Sequence, residues 1–180
     1  MNKLILLFLL CSTGAVAQKK TFTVSSPSGN IRLEVKHESP IAYSVYLNNK
    51  PLTTDSYLLL GINEEILGEF SILKKSYTRS VNTVIENPVP FKRKLIPDHY
   101  NELVLEFKNK FEIQFRAYDD RVAYRFKIAH KDSVIVTGEG AEFSFEKGST
   151  VYWPEVQKRE GLDMFHQVLK SRIKFFRWKK

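Results

Sequence analysis

Apolar and polar residues alternate with a period of two through much of this chain. Ile31, Leu33 and Val35 alternate with Arg32, Glu34 and Lys36, and Ile41, Tyr43, Val45 and Leu47 continue the pattern. It returns at Leu103, Leu105 and Phe107, then at Phe111, Ile113, Phe115 and Ala117. Val122, Tyr124, Phe126 and Ile128 follow, and Ala141, Phe143 and Phe145 close the series. Successive strand side chains point to opposite faces, so each run predicts a strand with one buried and one wet face. Turn residues separate the runs at Ser26-Pro27-Ser28-Gly29-Asn30, Asn48-Asn49-Lys50-Pro51, Tyr118-Asp119-Asp120-Arg121 and Glu146-Lys147-Gly148-Ser149. Glycine, asparagine and aspartate tolerate turn dihedrals, and proline presets one of them. Short strands at this spacing predict an all-β sandwich or barrel of antiparallel sheets. From Asn63 to Pro97 the pattern is less regular. Pro88, Pro90 and Pro97 predict that part of this stretch is an extended crossover or an edge strand. Leu162 to Phe176 is the one stretch that reads as helical, and it has no clear cap or stop.

The amino terminus reads as an export signal. Lys3 supplies the positive start, Leu4 to Leu10 an apolar run, and Ala15-Val16-Ala17 a small-residue cleavage site. Residues 1–17 are therefore the expected signal peptide, and the run is too short for a membrane anchor. A periplasmic or secreted protein is expected. Cys11 is the only cysteine and leaves with the signal, which excludes disulfides and thiolate metal sites from the mature chain. What remains has the size of one domain, expected over residues 18–166.

The formal net charge of the 180 residues is +8. Much of it lies in Lys170, Arg172, Lys174, Arg177, Lys179 and Lys180, with no acid from Gln167 onward. Without this tail and Lys3 the body is nearly neutral, which argues against nucleic acid as the partner.

Catalytic motifs are scarce. Glycoside hydrolysis needs two carboxylates flanking the scissile bond. Glu34, Glu106 and Glu112 fall on the polar side of alternating strands and read as solvated faces. Glu64-Glu65 is a pair whose side chains would point apart, and Asp119-Asp120 suits a turn better than a catalytic dyad. His37, His99, His130 and His166 show no metal-ligand spacing, and His37 and His130 read as surface residues. Tyr152 and Trp153 offer aromatic faces to a sugar ring, although buried aromatics closing the sandwich explain them as well.

Several segments in order carry a family resemblance. They are Ser25-Ser26-Pro27-Ser28-Gly29-Asn30-Ile31, His99-Tyr100-Asn101-Glu102-Leu103, the hairpin from Phe115 through Arg116-Ala117-Tyr118-Asp119-Asp120-Arg121 to Phe126, and Tyr152-Trp153-Pro154-Glu155. Over about residues 20 to 166 the chain resembles the amino-terminal domain of glycoside hydrolase family 97. The resemblance implies a β-supersandwich like that of galactose mutarotases, followed in family members by a (β/α)₈ barrel that carries the catalytic carboxylates. It implies calcium-dependent α-glucosidases or α-galactosidases, so the expected partner of the intact enzyme is an α-glucoside or α-galactoside carbohydrate. No catalytic residue is expected in this chain. The candidate substrate contacts are Trp153, Glu155 and His166. A calcium-holding glutamate of the family would fall just after His166, where Gln167-Val168-Leu169-Lys170 has no carboxylate. No metal ligand and no cofactor are therefore assigned to this chain.

The same place marks the start of the basic tail. With one choice of codons, shifting the frame by one base near His166 turns the tail into a carboxylate-rich, family-like continuation. Residues 167–180 are accordingly expected to be a frameshifted, poorly docked tail on a domain truncated before its barrel. The alternatives are a free-standing secreted carbohydrate-binding module and a basic-tailed binding protein for nucleic acid or anionic surfaces.

Overall fold

The computed structural model describes residues 20–89 and 92–151. The expected signal peptide, the helical stretch and the basic tail lie outside them. Ten strands form two antiparallel sheets, with no helix among the described residues. The strands are β1 (Lys20–Ser25), β2 (Ile31–His37), β3 (Ile41–Leu47), β4 (Lys50–Ile62), β5 (Glu65–Leu67), β6 (Leu73–Glu86), β7 (Leu95–Phe107), β8 (Phe111–Ala117), β9 (Val122–Ile128) and β10 (Val136–Ala141). One sheet runs β1-β2-β3-β4-β10, with β5 also paired to β4; the other runs β6-β7-β8-β9.

The core lies where the apolar positions of the two sheets meet. Leu33, Val35 and Ile41 from one sheet pack in one cluster with Leu105, Ile113 and Phe115 from the other. All are essentially inaccessible to water. Burying each such side chain contributes roughly 1.5–3 kcal/mol, so this layer is the main source of stability. The fold is thus the expected all-β antiparallel sandwich.

The predicted turns form as their chemistry suggests. Asn48 and Asn49 carry positive φ between β3 and β4. The Tyr118 amide donates to the Arg121 carbonyl at 2.9 Å and closes the β8–β9 hairpin. The irregular stretch turns out more regular than its sequence suggests, because it holds the long strand β6 and the start of β7. β6 is an edge strand of its sheet, and none of its residues is fully buried on either face. Pro97 sits where β7 pairs with β6 alone, so its missing donor costs no ladder bond.

Four features gather at one end of the sandwich. They are the β1–β2, β3–β4 and β8–β9 turns and a long β6–β7 hairpin. The Asn48 amide donates to the Asn30 carbonyl at 2.8 Å, and the Ser28 amide to Asp119 Oδ1 at 2.8 Å. The second of these bonds ties one sheet to the other.

Candidate functional site

The side chains opposite the core on β6, β7 and β8 build the most connected polar cluster of the domain. Arg79, Glu102 and Arg116 are directly cross-strand. Opposite residues in antiparallel strands share a face, so the register alone places two guanidiniums beside one carboxylate. Arg116 Nε donates to Glu102 Oε1 at 2.8 Å. Arg79 Nε donates to the other oxygen, Oε2, at 2.5 Å. Glu102 is completely buried, Arg79 half-exposed and Arg116 mostly covered.

Aromatic rings extend the cluster towards the turns. The Arg116 guanidinium lies 4.3 Å from the Tyr100 ring centroid, and Arg121 lies 4.3 Å from that of Tyr118. The two tyrosine rings are 5.0 Å apart, so Arg121, Tyr118, Tyr100 and Arg116 form one stack. Burial alone would lower the Arg116 pKa, but its hydrogen bonds to Glu102 and Tyr118 outweigh this and hold it above the ordinary guanidine range. Burial pushes the Tyr100 phenol up, against the opposing charge of Arg116. Both groups are locked in their ordinary protonation states.

Beside the stack, Asn101 bridges elements distant in sequence. Its amide nitrogen donates to the Ser25 carbonyl at 2.8 Å, and its oxygen accepts from Ser80 Oγ at 2.6 Å. The Ser28 hydrogen bonds hold the Asp119 carboxyl below its usual range. The Ser25–Ile31, His99–Leu103 and Phe115–Phe126 segments therefore converge on one end of the sandwich.

Further along the same face, Lys127 Nζ pairs with Glu112 at 2.8 Å, and Gln114 donates to Glu112 at 2.6 Å while accepting from Arg125 at 2.6 Å. Glu34, Glu106 and Glu112 are thus half-buried partners in ion pairs rather than freely solvated, Glu34 through Arg32 and Glu106 through Lys74. His37 is also half-buried, with Nε2 at 2.8 Å from the Ser71 carbonyl. His99 and His130 are exposed.

Trp153, Glu155 and His166, the substrate contacts expected from sequence, lie outside the described residues. Among the described residues, no group of three or more His, Cys, Asp or Glu side chains is placed to hold a metal ion. Sequence reading singled out the His99–Leu103 segment but not the part Glu102 plays in it. The available signal was cross-strand: Glu102 and Arg116 lie on consecutive strands at opposed register positions.

This arrangement suits positioning rather than catalysis. A carboxylate with both oxygens bound to guanidiniums offers no free base, and a rigid cation–π stack offers no nucleophile. The fold and cluster define an antiparallel β-sandwich module with an apolar core and, on the outer face of one sheet, a buried carboxylate paired with two arginines. A family model described as glycosyl-hydrolase 97 N-terminal matches residues 24–173, and the chain belongs to that family. It is 31% identical over 168 residues to a retaining alpha-galactosidase of Bacteroides thetaiotaomicron, a match covering 93% of this chain and 25% of that protein. A glycoside hydrolase family 97 enzyme from a Pseudoalteromonas species, solved with panose, aligns with TM-score 0.62 at 26% identity. A beta-arabinopyranosidase aligns with TM-score 0.65 at 25% identity. In each structural match, 73% of this chain covers 22% of the other. The chain thus spans about a quarter of the length of these relatives, as the amino-terminal domain of such a glycosidase does.

Proposed function

We propose that this chain is the non-catalytic amino-terminal domain of an exported glycosidase of the α-glucosidase or α-galactosidase type. Such an enzyme works in the periplasm or outside the cell in carbohydrate degradation. The observation that supports this reading most is the Arg79–Glu102–Arg116 triad. Its carboxylate is the only fully buried acidic side chain among the described residues, and it is neutralised on both oxygens. A glycosidase needs one carboxyl free to give a proton and another free to attack or to activate water. The working carboxylates, in this reading, belong to the part of the enzyme beyond this segment. In this reading the domain's part is to brace that machinery and wall one side of the sugar site, with Trp153, Glu155 and His166 as the contacts.

The experiment is a pair of assays on the purified chain. Aryl α-glucosides and α-galactosides should not be hydrolysed above background. Calorimetry with panose should show no binding tighter than millimolar. Turnover by the chain alone would overturn the reading. Tight sugar binding that is lost on Trp153→Ala would replace it with a free-standing carbohydrate-binding module.

A further inference from the structure

Beyond Asn101, β7 keeps β6 on one side and has no strand on the other among the described residues. The β6–β7 pairing nevertheless continues through Tyr100↔Val81 to Leu95↔Glu86, six further pairs. At about 3.4 Å per residue, this hairpin projects roughly 20 Å past the end of β8. Its side chains are not those of a solvated arm. Val84 is 61% exposed and Leu95 58%, on one face; Ile85 is 49% exposed and Ile96 38%, on the other. Val89, near the tip, is 73% exposed.

A two-stranded ribbon is at best marginally stable in water, and among the described residues no second layer covers its outer part, from Val84 to Pro97. Large exposed apolar clusters on otherwise polar domains mark contact surfaces. The tip is also basic. Lys92 and Arg93 are exposed, while Lys94 is paired with Glu86 at 3.2 Å. The matched relatives extend over about four times the length of the segment they share with this chain, so a large body of protein adjoins such a domain.

We infer that the β6–β7 hairpin is a docking arm that inserts, with both faces covered, into an acidic-rimmed apolar groove on the catalytic remainder of the glycosidase. This rests on the reading of the chain as the amino-terminal domain of such an enzyme. The arm grips by apolar contact, while Lys92 and Arg93 set its orientation and make the association salt-dependent.

The test uses the full chain and, as probe, the retaining alpha-galactosidase of Bacteroides thetaiotaomicron without its matched first quarter. That probe is first shown to rebind its own first quarter. The chain should then bind it in size-exclusion and calorimetric measurements, more weakly at high salt. A Val84→Asp/Ile85→Asp double variant, with one carboxylate on each face, should lose more than about tenfold in affinity. Its thermal melting should match the parent chain, because neither residue is in the core. Phe70→Asp, equally apolar and 87% exposed at the opposite end, should bind normally. Equal binding by the double variant overturns the arm and leaves the domain reading standing. Failure of the chain to bind at all overturns both. Two other results also overturn the inference: self-association of the chain that the double variant abolishes, and arm-dependent binding to anionic phospholipid vesicles.

Discussion

Glu102 and Arg116 face each other across β7 and β8, Oε1 to Nε 2.8 Å, with the carboxylate fully buried on the face of the sheet that points away from the core. This one pair explains why a sandwich with an ordinary apolar interior also has a second, polar, water-poor region. Tyr100 packs on Arg116, Tyr118 on Tyr100 and Arg121 on Tyr118, so the pair is the inner end of a stack that reaches the β8–β9 turn. Arg79 completes the charge balance from the other side.

Removing the carboxylate should therefore destabilise the domain. Glu102→Gln leaves Arg116 mostly buried without its counter-charge, and breaking a buried pair from one side costs about 3–5 kcal/mol. The half-exposed Arg79 can turn to solvent, which puts the expected loss near the lower end, about 3 kcal/mol. Arg79→Ala should cost much less, about 1 kcal/mol or under, as for exposed pairs. Urea unfolding checks both. A Glu102→Gln midpoint equal to the parent's would show that the pair is not a stabilising element.

Backbone geometry makes a second contrast. Gly68 has φ of +100°, and a Cβ there would lie 2.5 Å from the Leu58 carbonyl oxygen. Its own carbonyl accepts from the Ile41 amide at 3.0 Å, so it cannot shift without disturbing the start of β3. Gly138 lies in β10, and a Cβ added to it would meet nothing within 4 Å. Gly68→Ala should destabilise by more than about 1 kcal/mol, whereas Gly138→Ala should be neutral or slightly stabilising. Thermal melts of the two variants decide it, and equal melting would contradict the close approach at Gly68.

A third expectation concerns the tie between the sheets. The Ser28 amide, bonded to Asp119 Oδ1, should be protected from hydrogen exchange although it lies in an exposed turn. Asp119→Ala should abolish this protection, and Asp119→Asn, which keeps the acceptor oxygen, should preserve it. Because Ser28 holds the Asp119 carboxyl below its usual range, the bond should keep its charged acceptor in mild acid and weaken only as pH falls through that lowered value. Rapid exchange of the Ser28 amide in the parent chain would contradict the bond.

How far the sequence foretells this structure depends on which face each strand shows to water. β2, β3, β8 and β9 were legible because one side of each is apolar and the other polar, and so was the half of β7 from Leu103 on. β6 was not, since an edge strand with Lys74, Lys75, Ser76, Thr78, Arg79 and Ser80 carries no alternation. β4 was missed because register shifts interrupt its pairing with β3, and because Asp55 takes a positive φ within it. The polar cluster was hidden for a related reason. Alternation equates polar with solvated, and Glu102, Glu112 and Gln114 obey the alternation while being covered by their own ion-pair and hydrogen-bond partners. Nothing in a single strand reveals a cross-strand partner. Pairing Glu102 with Arg116 requires the register, which follows from the turn between β7 and β8.

Alkaline pH should expose the two tyrosines at the core's margin. Burial pushes the Tyr43 phenol up to about 12, and its hydroxyl donates to the Glu142 carbonyl at 2.9 Å. Burial also raises Tyr124, helped by Glu139, whose carboxylate accepts from its hydroxyl at 2.9 Å. In the unfolded chain both phenols would ionise near the ordinary value of about 10. Above that pH the unfolded state sheds protons that the native state keeps, so stability falls as pH rises. The stabilisation is complete below about pH 10 and is lost progressively as pH approaches about 12. Urea midpoints measured across that window should decline. Tyr43→Phe, which removes the ionisable group, should flatten the decline while costing a modest amount of stability at neutral pH. A Tyr43→Phe profile parallel to the parent's would assign the alkaline loss to other groups and remove Tyr43 from the account.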